Sequence, residues 1–238
     1  MSTTRRAFLD RLALGAAAVG GLPLALGAAA RTLEAAAPAA PSSNAPWATP
    51  SGTQWDVSWT RRLTGKHRAV FDVPAVESGY GVWRASIWAA QYQAVLGVPA
   101  RELSAAVVLR HDAIVLAMRQ EFWDRYGIGR VKGVTHPVTQ EPTDRNPVLL
   151  SSARGEQPAQ FDDWALDRFL ARGGVALACD LALQDVVQVI ATADRTTPEA
   201  ARERALGLMV PGVILQPSGV FAAMHAQDAA GCTYLRAS

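Results

Sequence analysis

The sequence predicts an α/β domain, a mainly parallel sheet of about five strands with helices on both faces. Three observations carry this expectation. Short apolar runs rich in β-branched residues recur at 68–73, Leu103–Leu109, Val175–Cys179, 213–215 and 232–235. Stretches of helical spacing lie between them, and no internal repeat interrupts the alternation. Half of the residues are hydrophobic and 18% are charged, the composition of a folded chain with a proper core.

The first strand, 68–73, ends at Pro74. A helix is expected over 80–96, where Trp83, Ile87, Ala90, Gln91, Ala94 and Val95 keep close to a 3.6-residue rhythm and Gly97 and Pro99 stop it. Within Leu103–Leu109 the stretch from Ala105 to Leu109 is a continuous apolar run, which suits a strand covered on both faces. His111 and Asp112 then open a helix expected to carry Ile114, Val115, Met118, Phe122 and Trp123. Residues 127–160 hold Gly, Pro, Thr and Asn-Pro without an apolar period; an inserted connection this long is functional or a covering loop. A helix over 161–171 closes at Gly173-Gly174, and the third strand ends in Cys179. Further helices follow over 180–191, from Thr197-Pro198, where Thr197 suits a cap and Pro198 a first turn, and over 218–229.

Ahead of this domain, Arg5-Arg6 precede Ala7-Phe8-Leu9 and an uncharged Ala/Gly/Leu-rich run. This is the pattern of a twin-arginine export signal over 1–37, and it places the protein in the periplasm. Residues 38–54, rich in Ala, Pro and Ser, read as a flexible linker, leaving 55–238 as the domain. Net charge is +2 with no basic stripe, so nucleic acid is not an expected partner. The membrane is involved only through the signal segment, if it stays uncleaved. In an oxidising compartment the two cysteines, Cys179 and Cys232, leave a structural disulfide open. Tryptophans 47, 55, 59, 83 and 88 crowd the first part of the mature chain, as core, an aromatic pocket or an interface.

In open parallel sheets, sites form beyond the carboxyl ends of the strands. That edge receives Arg110, His111 and Asp112 from the second strand, Cys179 and Asp180 from the third, and Ser218 after the fourth. Cys179 at a helix start is a candidate reactive thiol, because a helix N-terminus favours the thiolate; the adjacent Asp180 opposes that, and a buried structural cysteine is the plain alternative. His111 suits a general base, an anion donor or a helix-start residue. Arg110, Asp112, Asp180 and Ser218 are the candidates for holding a ligand. No motif names a metal or a cofactor.

Four segments resemble the DsrE/DsrF-like family of small sulfur-relay proteins: 66–73, 106–113, 173–179, and 217–220 together with 231–235. The resemblance implies a compact parallel-sheet domain that assembles into homo- or hetero-oligomers. It also implies that Cys179 carries sulfane sulfur as a persulfide, with His111 orienting the incoming group, between thiol donor and acceptor proteins. The signal, the linker and the 127–160 loop depart from that family. The second expectation, from a different class, is a non-catalytic periplasmic binding or assembly protein in which Cys179 is structural.

Overall fold

The computed structural model describes residues 54–238; the expected export signal and nearly all of the expected linker fall outside the described residues. Five strands form one all-parallel sheet: β1 (His67–Val73), β2 (Leu103–Leu109), β3 (Val175–Cys179), β4 (Val213–Gln216) and β5 (Thr233–Arg236). Their spatial order is β4-β3-β2-β1-β5. The expected α/β class, with helices on both faces, is therefore the fold. Among the described residues no helix is long and apolar enough to cross a membrane.

The order dictates where the helices go. From β1 to β4 each connection steps the same way along the sheet, so right-handed crossovers put every connecting helix on one face. These are α1 (Tyr80–Leu96), α2 (Gln120–Tyr126), α3 (Ile128–Lys132), α4 (Leu166–Ala171), α5 (Asp180–Asp194) and α6 (Pro198–Gly207). The last connection reverses past three strands to reach the far side of β1, so α7 (Gly219–Ala230) lies on the opposite face. Strand side chains divide accordingly. Phe71, Val107 and Ala176 join the larger core, whereas Val70, Ala106, Val108 and Leu177 meet Ala222, Ala223 and Ala226 of α7 and Trp59 of a preceding 3-10 turn.

Caps close the helices where side chains allow. Thr197 Oγ1 accepts from Ala200 N (3.3 Å) with Pro198 opening α6, and Ser218 Oγ accepts from Phe221 N (3.0 Å).

Two helical expectations are corrected. The stretch from His111 is a 3-10 run (His111–Ala117) that breaks at Met118 before α2 begins. All of Ala113 to Met118 is buried, leaving no polar face for an amphipathic helix. Met118 instead bridges Met209, and Arg119 N donates to Leu208 O (2.8 Å), tying the segment to the end of α6. Likewise Ala159–Trp164 is 3-10 and the α-helix starts only at Leu166. In α1 the apolar rhythm runs past the sheet: Trp83 and Ala85 are buried, while Val95 and Leu96 are 78% and 62% exposed.

Residues 127–160, expected as a loop, cover the core but hold the short helix α3 and a 3-10 turn at Ser152–Arg154. Ile128, Val134 and Val148 sink into the larger core, and the fully buried Asn146 donates to Leu116 O (3.2 Å) and Met118 O (2.7 Å), satisfying two carbonyls freed by the broken helix.

Candidate functional site

The strand registers line up the carboxyl edge. Leu109 pairs with Ala178 and Cys179 pairs with Gln216, so Arg110, Cys179 and Gln216 stand side by side where β2, β3 and β4 end. The expected convergence is real, yet each residue has its own task there.

Cys179 is 6% exposed, and its Sγ accepts from Ala182 N (3.4 Å), so the thiol caps α5. Asp180 pairs with Arg202 (2.5 Å) and Asp112 pairs with Lys132. His111 is exposed with a left-handed backbone (φ 48), and no hydrogen bond joins it to Cys179. Ser218 caps α7. Both cysteines are free. Cys232 precedes β5 at the amino edge of the sheet, in the smaller core, and Cys179 ends β3 at the carboxyl edge, which leaves them too far apart to bridge. Burial pushes the Cys232 thiol up from its ordinary value, with Arg68 pulling it partly back.

Arg110 is the expected residue that reaches a cavity. Its guanidinium grips Asp72 of β1 with two parallel bonds, Nε to Oδ1 (2.6 Å) and Nη2 to Oδ2 (2.7 Å). Tyr234 of β5 donates its hydroxyl to the same Oδ2 (2.6 Å). The Asp72 carboxylate is 2% exposed and the Arg110 side chain 20%. Burial pushes the Asp72 carboxyl up, but the bonds from Arg110 and Tyr234 outweigh it and hold the group below the ordinary carboxylate value. The same bond to Asp72, with burial, raises the Tyr234 phenol. Gly219, at the start of α7, permits the arrangement: a Cβ there would stand 2.5 Å from Arg110 Cδ.

Above these three side chains opens a cavity of about 320 Å³, walled by Val220, Ala223, Met224 and Gln227 of α7. That volume lies within the range of small-ligand pockets. It lies on the α7 face of the sheet, over side chains of β1 and β5 and the Arg110 that follows β2. Two of the five guanidinium N–H groups serve Asp72, leaving three for a ligand.

A larger cavity, about 500 Å³, lies at the amino edge among Arg62, Arg172, Trp88 and Trp164. Its arginines are exposed and already engaged, Arg172 with Asp163 and Ser86 and Arg62 with Gly174 O (3.0 Å). It therefore offers a ligand less than the buried triad does.

Asp72 and Tyr234 were not among the residues singled out from the sequence. Asp72 had a visible signal, a carboxylate within the apolar stretch Ala69 to Val73, which demands a partner. Tyr234 had none without the strand order. Among the described residues no group of three His, Cys, Asp or Glu side chains is placed to hold a metal ion. The chain matches no protein-family model, no curated protein and no solved structure.

Proposed function

We propose that this chain is a non-catalytic periplasmic binding protein that takes a small molecule in the Asp72–Arg110–Tyr234 cavity and uses Cys179 as a structural cap. The observation that carries the reading is a contrast along one sheet edge. The thiol is 6% exposed and its sulfur already holds the Ala182 N–H, whereas Arg110, in the same row, lines an open cavity. A ligand suited to it carries acceptor oxygens for the remaining Arg110 N–H groups and an apolar part for Val220 and Met224. Because Asp72 neutralises Arg110, the ligand needs no full negative charge. Export through the twin-arginine signal belongs to the same proposal.

A second reading, the sulfur relay that the DsrE/DsrF resemblance implies, is favoured by one observation. Cys179 is a free thiol at the N-terminus of α5 with a backbone N–H on its sulfur, an arrangement that would also offer a donor to a persulfide. In that reading the thiolate attacks a sulfane sulfur, forms the S–S bond and releases the donor as its thiolate.

Intact-mass measurement before and after exposure to polysulfide, with Cys179→Ser alongside, separates the two. The binding reading expects no added sulfur and no alkylation of Cys179 in the native protein. Gain of one sulfur atom, reversed by reductant and absent in Cys179→Ser, overturns it in favour of the relay.

A further inference from the structure

We propose that β5 is the seam of a two-fold homodimer, in which the sheets of two copies join edge to edge into ten strands. This inference does not depend on the cavity being occupied, because it rests on the strand itself.

The sheet has two edges, and they differ. β4 is bracketed by Pro211 and Pro217, and beside it the Gln216 amide donates to Asp56 O (2.7 Å) from the segment before the first 3-10 turn. Prolines and covering segments are standard protections for an edge. Among the described residues β5 has neither: all four of its residues are exposed, Tyr234 and Leu235 by 41% and 47%, and its one charge is Arg236. Short as it is, β5 presents outward N–H and C=O groups that can template another strand.

Backbone direction fixes how a second copy fits. Ala237 N donates to Asp72 O (2.6 Å), so alternation turns the amides of Leu235 and Ala237 toward β1 and those of Tyr234 and Arg236 outward. Antiparallel pairing of β5 with itself must bring outward residues opposite one another. With the two-fold axis at Leu235, each Tyr234 faces Arg236 of the second copy, and all the outward N–H and C=O groups of both residues are used. Centring the axis on Arg236 opposes two like charges. Centring it on Tyr234 sets Arg236 against Cys232, whose N–H is already given to Ala226 O (3.1 Å). The strand is self-complementary in one register.

That register also builds on the cavity. Tyr234 and Arg236 share the α7 face of the sheet, so Arg236 of the second copy stands opposite Tyr234, whose hydroxyl holds Asp72. The two cavities open into one cleft walled by the two α7 helices, whose exposed Val220 and Met224 border it. On the other face Leu235 meets its own counterpart, covering two exposed apolar side chains.

Cross-linking reads the register directly. Paired Leu235 Cα atoms would sit about 4.5 Å apart, as in non-hydrogen-bonded pairs, inside the span of a disulfide. Two Arg236 Cα atoms would be about 9 Å apart, beyond it. The purified full chain should sediment at twice its monomer mass. Leu235→Cys should cross-link nearly completely under mild oxidation, and Arg236→Cys should not. Arg236→Pro removes an outward N–H without touching the β1 ladder, and should shift the protein to monomer with its far-UV spectrum unchanged. A monomeric wild type overturns the proposal, as does a dimer in which Leu235→Cys fails to cross-link or Arg236→Cys cross-links in its place.

Discussion

Replacing Arg110 by Met tests the buried triad most directly. Methionine keeps the unbranched stem that packs on Gly219, so the change removes charge and hydrogen bonds rather than volume. What remains is a carboxylate, 2% exposed, whose sole side-chain donor is Tyr234. Breaking a buried pair by removing one partner costs about 3–5 kcal/mol, and the partial exposure of Arg110 argues for the lower end, about 3 kcal/mol at neutral pH. The pH dependence carries the sign. In the wild type Asp72 is held below its ordinary value, so its contribution is present above the usual carboxylate range and is lost as pH falls through the folded value. In the variant burial, the largest influence on Asp72, is opposed only by Tyr234 and Arg236, so the group rises from its wild-type position and the variant is relieved as acid protonates it. The stability gap should therefore close on going from about pH 7 to below about pH 4. Urea unfolding at fixed protein concentration across that range measures it. Asp72→Asn combined with Arg110→Met should cost less than the two singles added, by at least about 1.5 kcal/mol. A neutral-pH cost below about 1 kcal/mol, or a gap that stays flat with pH, refutes the triad as a coupled buried unit.

Two further outcomes follow from the structure. Gly129→Ala would set a Cβ 2.1 Å from Thr143 O and 2.6 Å from Asp144 Cα, so the 127–160 loop must shift. The expected loss is about 1–3 kcal/mol by thermal melting, with faster amide exchange around Val134 and Thr143. Hydrogen bonds from Arg125 and Tyr126, then Arg204, hold the Asp194 carboxyl down to about 2 at the end of α5. Its stabilisation is thus present above the usual carboxylate range and lost as pH falls toward 2; Asp194→Asn should flatten the acid limb of the stability profile there, measured by denaturant titration.

The strands were legible because a strand buried on both faces needs an uninterrupted apolar run, and β2 from Ala105 onward and β3 supply one. Helices were legible where local chemistry closes them, as at Gly97 after α1, Thr197-Pro198 before α6 and Ser218 before α7. Periodicity failed where burial is not one-sided. From Ala113 to Met118 every residue is buried, so an apolar spacing that fits a helix carries no information about which face is covered. It failed again in the second half of α1, where Val95 and Leu96 keep the helical rhythm beyond the end of the sheet they would pack on. Arg110 could be placed at the edge from its position after β2. That it turns to Asp72 and Tyr234, while Cys179 beside it turns inward to cap α5, depends on a strand order the sequence does not contain.

One topological event accounts for both the cavity and the bare edge. Had the chain continued past β4, the last strand would lie beside Gln216 and its crossover would cover the same face as the others. By reversing, the chain sends α7 alone to the opposite face and sets β5 against β1, and this brings Tyr234 over Asp72. Among the described residues the same step leaves the outer side of β5 unpaired and the α7 face beside it thinly covered, with Val220 and Met224 exposed. Tyr234 belongs to both features, its hydroxyl to the triad and its backbone to the edge. Loss of the hydroxyl alone, in Tyr234→Phe, removes one of the three hydrogen bonds on the Asp72 carboxylate while leaving the outward N–H and C=O in place. The triad and the seam are thus separable at a single residue, although the fold produced them together.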